Sequence, residues 1–329
     1  VIAREDDNGD FWELYKNLDG FQNVIMTRPI PVPARGKAQF SDEFKDKPGK
    51  VMRGPVYTEF QVKHPLGNNS VSKRVRVYNG INRIDFSTGI VNNDKHVRYQ
   101  VLFPTSITGG KRFDEIPFGA IERPQAQEYP AQNWVDFGNG NRGVALINKG
   151  NPGNNVADGT LMMSVLRSTQ ILFYGEDGSY ERGMTSNSGQ MLGREVTTDY
   201  ALLPHSGTWS DASVVQAGLE FNNTLIVTKT EAHAGQLGKQ WGLAEISAPN
   251  ATISALKTAK DGSTVIRVYE SAGKPASGAT LTFNSQVRGA EEVGLMEGKG
   301  KRANVSDRSI RFHLKPFEIK TFKLKLAAP

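Results

Sequence analysis

Through residues 315–326 the chain reads KPFEIKTFKLKL, with lysine and apolar side chains alternating at a period of two. That period puts successive side chains on opposite faces of a strand, so the apolar set meets a core and the lysines meet solvent. Similar runs of β-branched and aromatic residues, bounded by Gly, Asn and Pro, recur along the chain. They include VYTEFQVKH (56–64), SVSKRVRVYNG (70–80), NRIDFSTGIVN (82–92), HVRYQVLFP (96–104), TLMMSVLRS (160–168) and STVIRVYES (263–271). Helical turns are expected only in short pieces, at residues 10–17 and in AGLEF at 217–221. Many short strands joined by turns predict an all-β sandwich.

Residues 177–198, rich in Gly, Ser, Asn and Thr, read as a long excursion between strands. A new group of strands begins with SAPNATISALKTAKDG at 247–262, where the charge balance also changes. Residues 250–329 carry +7 and the remainder −1. A boundary near residue 248 follows, with a large β domain over 1–248 and a smaller β-sandwich over 249–329. A basic face can track phosphates, but lysines at period two describe the solvent side of a half-buried strand, and no nucleic-acid motif accompanies them. Nucleic acid is therefore not an expected partner.

With 38% hydrophobic and 22% charged residues, the composition is that of a folded globular chain. The absence of cysteine removes disulfides, thiolate metal sites and cysteine nucleophiles together. No apolar run is long enough for a membrane helix, so no membrane association is expected. Val1 opens on neither a methionine nor a signal pattern, which suggests a fragment whose targeting information lies upstream. Absent thiols do not decide the compartment; with the many Asn-Gly turns they tilt the expectation toward a bacterial periplasmic or secreted protein.

Several local patterns invite a functional reading. GNGNRG at 138–143 has the letters of a dinucleotide-binding loop, but NWVDF leads in and GVALIN leads out, so the glycines are expected to serve a β-turn. Glu5, Asp6, Asp7 and Asp10 gather acids around a glycine without the ligand spacing of a calcium loop, and read as an exposed turn. His64, His96, His205, His233 and His313 are too far apart to form a sequence-level metal motif. The sequons at Asn68, Asn222, Asn250 and Asn304 are no more than chance would supply in so Asn-rich a chain.

Ordered blocks carry a more specific signal. PFGAIERPQAQEYPAQNWVDFGNGNRGVALIN at 117–148, DGTLMMSVLRS at 158–168, YALLPHSGTW at 200–209, RVYESAG at 267–273 and LKPFEIKTFKLKL at 314–326 appear in sequence, after an opening REDDNGDFWELY at 4–15. Together they resemble the C-terminal β region of glycoside hydrolase family 38, the retaining α-mannosidases. The resemblance implies a large galactose-mutarotase-like β-supersandwich followed by a smaller β-sandwich, and α-mannosides as the carbohydrate partner. It also implies a partner domain: in that family a preceding α/β domain and helical bundle carry the zinc ligands and an aspartate nucleophile. Nothing in this sequence matches those motifs, so no zinc ligand and no catalytic residue is expected in this chain.

The resemblance singles out Arg167 as substrate-binding, because an arginine on the strand that resembles LMMSVLRS reaches toward the sugar cleft in the family. A guanidinium suits that role through its planar fork of donors. A strand-end arginine paired with a carboxylate is the plainer alternative. The stretch NKGNPGNNVAD at 148–158 reads either as a wall of the same cleft or as a connecting loop, and Glu122 with Arg123 as an ion pair at a domain edge. His96 is the histidine to watch, by analogy with sugar epimerases of mutarotase-like fold. A freestanding carbohydrate-binding or mutarotase-like protein, and a purely structural module, remain the rival readings.

Overall fold

The computed structural model describes residues 1–7, 29–44, 47–169, 190–235 and 238–327, together with the backbone of two strands at Ile171–Tyr174 and Tyr180–Met184. The described chain is built almost wholly of strands, with one α-helix, Val214–Asn222. That helix contains the AGLEF segment; the turn expected at residues 10–17 lies outside the described residues. Two compact units emerge, one of residues 1–115 and 121–223, the other of residues 116–120 and 224–329.

The larger unit stacks a six-stranded sheet on a nine-stranded one. The first runs in the order Tyr129–Pro130, Gly153–Ala157, Thr160–Ser168, Val97–Pro104, Ile2–Asp6, Gln39–Phe40. The second runs Lys50–Arg53, Tyr57–Leu66, Asn69–Tyr78, Ile84–Val91, Glu195–Ser206, Arg142–Asn148, Trp134–Gly138, Lys111–Ile116, Gly119–Arg123. Alternation decides what lies between them. Ile2, Tyr99, Val101, Leu161 and Met163 from one sheet meet Leu66, Val71, Ile90, Phe137 and Leu146 from the other in a single buried core. This is the large double sheet expected from the sequence.

One buried ion pair crosses that interior. Arg112 and Asp114 stand two residues apart on one strand and hence on one face, and both side chains are fully buried. The pair is bidentate, at 2.7 Å for each contact, and Arg112 also donates to the carbonyls of Gln127 at 2.6 Å and Asn154 at 3.1 Å. Asn154 sits in the six-stranded sheet, so the guanidinium ties the two sheets together where the core has polar backbone to satisfy.

Among the described residues, the outer face of the nine-stranded sheet is covered at one end. There Trp209 packs on Phe113 and Trp134, and the helix lies so close that a Cβ at Gly218 would sit 2.9 Å from the Trp134 ring. The other end, across the strands from Lys50–Arg53 to Ile84–Val91, is left open by the described residues.

The smaller unit is a sandwich of a four-stranded sheet, Ala244–Ile246, Ala276–Phe283, Ser309–Leu314, Val305–Ser306, and a five-stranded sheet, Ala251–Thr258, Thr264–Glu270, Ile319–Leu326, Val287–Val293, Lys301–Arg302. Its core unites Ile266, Val268, Leu281, Phe283, Ile310, Phe312, Phe322 and Leu324. In Ile319–Leu326, Phe322 and Leu324 face that core while Lys320 and Lys323 pair with Glu292 and Asp261, each within 2.7 Å.

Three local expectations are revised. The stretch read as a long excursion ends earlier, because Glu195–Ser206 is a continuous strand and Tyr180–Met184 pairs with Ile171–Tyr174. Within the segment read as a loop at 148–158, residues Gly153–Ala157 form a strand, whose polar Asn154 and Asn155 are buried. In GNGNRG the turn forms, but only Gly140 needs a positive φ, of 86°. Gly143 is required for space, since a Cβ there would lie 2.4 Å from the His205 ring.

Candidate functional site: a charged cluster on the six-stranded sheet

Strand Ile2–Asp6 alternates Ile2 and Arg4 with Ala3 and Glu5, so Glu5 points away from the core and faces Arg98 on the next strand. Arg98 in turn stands opposite Arg167 on the strand beyond. Two arginines directly opposed across a sheet repel each other unless acids intervene. Here they do. Arg98, 1% exposed, donates to Glu5 at 3.0 and 2.6 Å and to Glu128 at 2.6 Å, and Gln100 donates to Glu5 at 2.7 Å. Arg167 grips Asp7 with two parallel bonds of 2.6 and 3.1 Å. Burial works against the charge on Arg98, but Glu128 and Glu5 outweigh it and move its pKa upward.

A bulge is what aims Arg167. Ser164 pairs with Gln100, yet Leu166 pairs with Tyr99, so Val165 is an extra residue in the strand. Were Val165 paired in turn, with no bulge, plain alternation from Ser164 would turn Arg167 to the core side. With it, Val165 and Leu166 both join the core and Arg167 emerges beside Arg98 with its side chain 24% exposed.

The acidic cluster at the start of the chain is therefore not the exposed turn expected from sequence. Glu5 and Asp7 are 7% and 1% exposed and serve Arg98 and Arg167; Asp10 lies outside the described residues. His96 adjoins the same cluster through its backbone, its carbonyl accepting the Asp7 N–H at 2.8 Å. It has a positive φ of 54°, and its Nδ1 is buried without a hydrogen-bond partner. The sequence signal for Glu5, Asp7, Arg112 and Asp114 was their spacing of two, which on a strand gives a shared face.

The other sequence candidates lie elsewhere. Glu122 pairs with Lys111 at 3.0 Å, whereas Arg123 lies over the Tyr129 ring, so these two do not form the ion pair expected of them. His64 stacks on Phe44, His313 accepts the Gly278 N–H, and His233 is exposed. His205 bonds Asp136 at 2.7 Å on the outer side of the nine-stranded sheet. Burial opposes its charge, but the Asp136 carboxylate raises its pKa on balance. Among the described residues no group of three or more His, Asp or Glu is gathered closely enough to hold a metal ion.

Glu115 offers a pH-dependent test of the packing in this unit. Only 6% exposed, it accepts the Asn133 N–H at 2.7 Å, and burial pushes its pKa from 4.5 up to about 7. Below pH 4.5 it is protonated in both states and costs nothing. Between 4.5 and 7 the folded state binds more protons than the unfolded one, so its contribution to stability falls as pH rises, by about 3 kcal/mol in all. Stability of the native protein relative to Glu115→Gln, followed by urea unfolding, should decline through that window and then level off. A pH-independent difference would contradict the assignment.

Comparison with known proteins agrees with this architecture. The description "Glycosyl hydrolases family 38 C-terminal domain" matches residues 32–171, and "Glycosyl hydrolases family 38 C-terminal beta sandwich domain" matches residues 250–322. Alpha-mannosidase G of Dictyostelium discoideum is 28% identical over 296 residues, covering 83% of this chain and 25% of that protein. Alpha-mannosidase 2C1 of Homo sapiens is 25% identical over 293 residues, covering 84% of this chain and 26% of its own length. The chain thus spans about a quarter of these curated relatives. An alpha-mannosidase from Enterococcus faecalis V583 superposes with a TM-score of 0.75 at 18% identity, over 98% of this chain and 38% of that one, which establishes a common fold. The chain belongs to glycosyl hydrolase family 38, of which it carries the C-terminal domain and the C-terminal β-sandwich domain.

Proposed function

We propose that this chain is the C-terminal β part of a retaining α-mannosidase, that it buttresses the active site and supplies part of the outer substrate cleft, and that it does not turn over substrate alone. The observation that carries the reading is the Arg167–Asp7 clamp. A partly exposed guanidinium is held in a fixed orientation by a carboxylate with 1% exposure, and a planar fork of donors so oriented suits a sugar hydroxyl or an anionic substituent. In the retaining reaction one carboxylate attacks the anomeric carbon, while a second group protonates the leaving oxygen and later activates water. Those groups, and the ligands of the zinc ion that the family resemblance implies, are assigned to a preceding domain. The described residues offer no set of metal ligands.

The test is turnover of an aryl α-mannoside, with zinc added, by this chain and by a longer protein that carries a family 38 catalytic domain ahead of it. Activity confined to the longer protein is the expected result; turnover by this chain alone would overturn the assignment. In the longer enzyme, Arg167→Lys keeps a charge near Asp7 but loses the fork. It should raise KM for extended substrates about tenfold, the worth of one charge-assisted bond, with kcat little changed. Unchanged kinetics would remove Arg167 from the cleft.

A further inference from the structure

We propose that the open end of the nine-stranded sheet is a second binding site, one that takes an anionic saccharide by its phosphate or carboxylate group. Its outer face there forms a groove of about 610 Å³. That lies within the range of small-ligand sites, about 300–1,000 Å³.

Small residues make the floor. Ser72, Gly89 and Thr197 stand opposite one another on three adjacent strands, in the row below Ser87. Gly89 has no positive φ to explain it, and space does: a Cβ would lie 2.7 Å from Ser72 Oγ and 2.9 Å from Glu195 Oε1. The missing side chain keeps the groove open and lets the Glu195 carboxylate reach over it.

Charge defines the ligand class. Lys50, Lys63 and Arg74 line the groove, exposed, and none forms an ion pair among the described residues. Two rows away the same strands pair their charges fully, Arg76 with Glu59 and, at 2.6 Å, Arg83 with Asp85. Arg74 spends one donor on Ser87 Oγ at 3.1 Å, which steadies its guanidinium against the sheet and leaves further donors outward. Unpaired cations favour an oxyanion. The hydroxyls of Ser72, Ser87 and Thr197 can each donate and accept, as can the Gln61 amide, and Glu195 can accept; this matches the hydroxyls of a sugar rather than a bare anion. The site rests on none of the residues invoked for the α-mannosidase reading, so either can fail alone.

The experiment is isothermal titration of the chain with mannose 6-phosphate, a mannuronic acid disaccharide, neutral mannobiose and inorganic phosphate. At least one anionic saccharide should bind, more weakly as salt rises, and which one binds identifies the oxyanion. Lys63→Gln and Arg74→Gln, both on the exposed face, should each weaken it about tenfold. Gly89→Val should abolish it, with circular dichroism checking that the sheet persists. Binding of neither anionic sugar, equal binding of mannobiose, equal binding of phosphate alone, or indifference to the two glutamine variants would each overturn the proposal.

Discussion

Asp114→Ala is expected to destabilise the larger unit by about 3–5 kcal/mol, the usual consequence of removing one partner from a buried ion pair. The carboxylate is fully buried and takes both of its close contacts from Arg112, so its loss leaves a guanidinium in the interior with, among the described residues, the Gln127 and Asn154 carbonyls and the Tyr129 ring beside it. Arg112→Met should be comparably harmful, because it strands Asp114 and two carbonyls at once. The double variant Arg112→Met/Asp114→Leu removes both charges and should cost less than either single change. Urea unfolding followed by tryptophan emission reads this out, since Trp134 and Trp209 lie 5.3 Å apart in that unit. A loss below about 1 kcal/mol for Asp114→Ala would put the pair in the class of solvent-screened contacts and refute its role between the sheets.

Glu270→Ala should be as damaging in the smaller unit, through backbone rather than charge. Fully buried, the carboxylate accepts the N–H groups of Ala272 at 2.8 Å, Gly273 at 2.9 Å and Phe317 at 2.9 Å, and the Asn250 amide at 3.0 Å. It thereby joins the end of one strand to the turn before another, where Gly273 and Phe317 both have positive φ. Truncation orphans three half-buried backbone donors, and at about 1 kcal/mol each, the low end for an unmade bond, a loss of about 3 kcal/mol is expected. Glu270→Gln retains one acceptor oxygen but turns an NH₂ group toward an N–H, and should fall between native and alanine. Hydrogen exchange at Ala272, Gly273 and Phe317 is the direct measurement. Protection that survives in Glu270→Ala would show that other acceptors replace the carboxylate.

The strands were legible because their alternation is mostly regular: Lys323 and Lys325 lie on the face opposite Phe322 and Leu324 in the structure as in the sequence, whereas Lys320 shares the parity of the core residues. The helix was anticipated only as a turn in AGLEF, since its apolar residues are few and its start, Ser213 in a left-handed conformation, carries no capping hydrogen bond. Buried polar chemistry was harder to see. Asn154 and Asn155 look like loop residues by composition, yet a strand holds them, because neighbouring backbone supplies their partners. The acids at Glu5 and Asp7 looked like a solvated turn for the same reason: the arginines that neutralise them are about 90 and 160 residues away. Arg167 was identified through resemblance, and its direction could not have been, because alternation counted from Ser164 gives the wrong face.

That last point concerns counting as much as chemistry. The surplus Val165 makes the direction of Arg167 depend on how many residues precede it in the strand. Flattening the bulge while keeping Val165 would leave every functional side chain present in the sequence, yet Leu166 would face outward and Arg167 inward. When relatives are aligned here, a gap slid by one position transfers the arginine's role to a residue on the opposite face. The register of this strand is thus as much a part of the cluster as the identity of the side chains it displays.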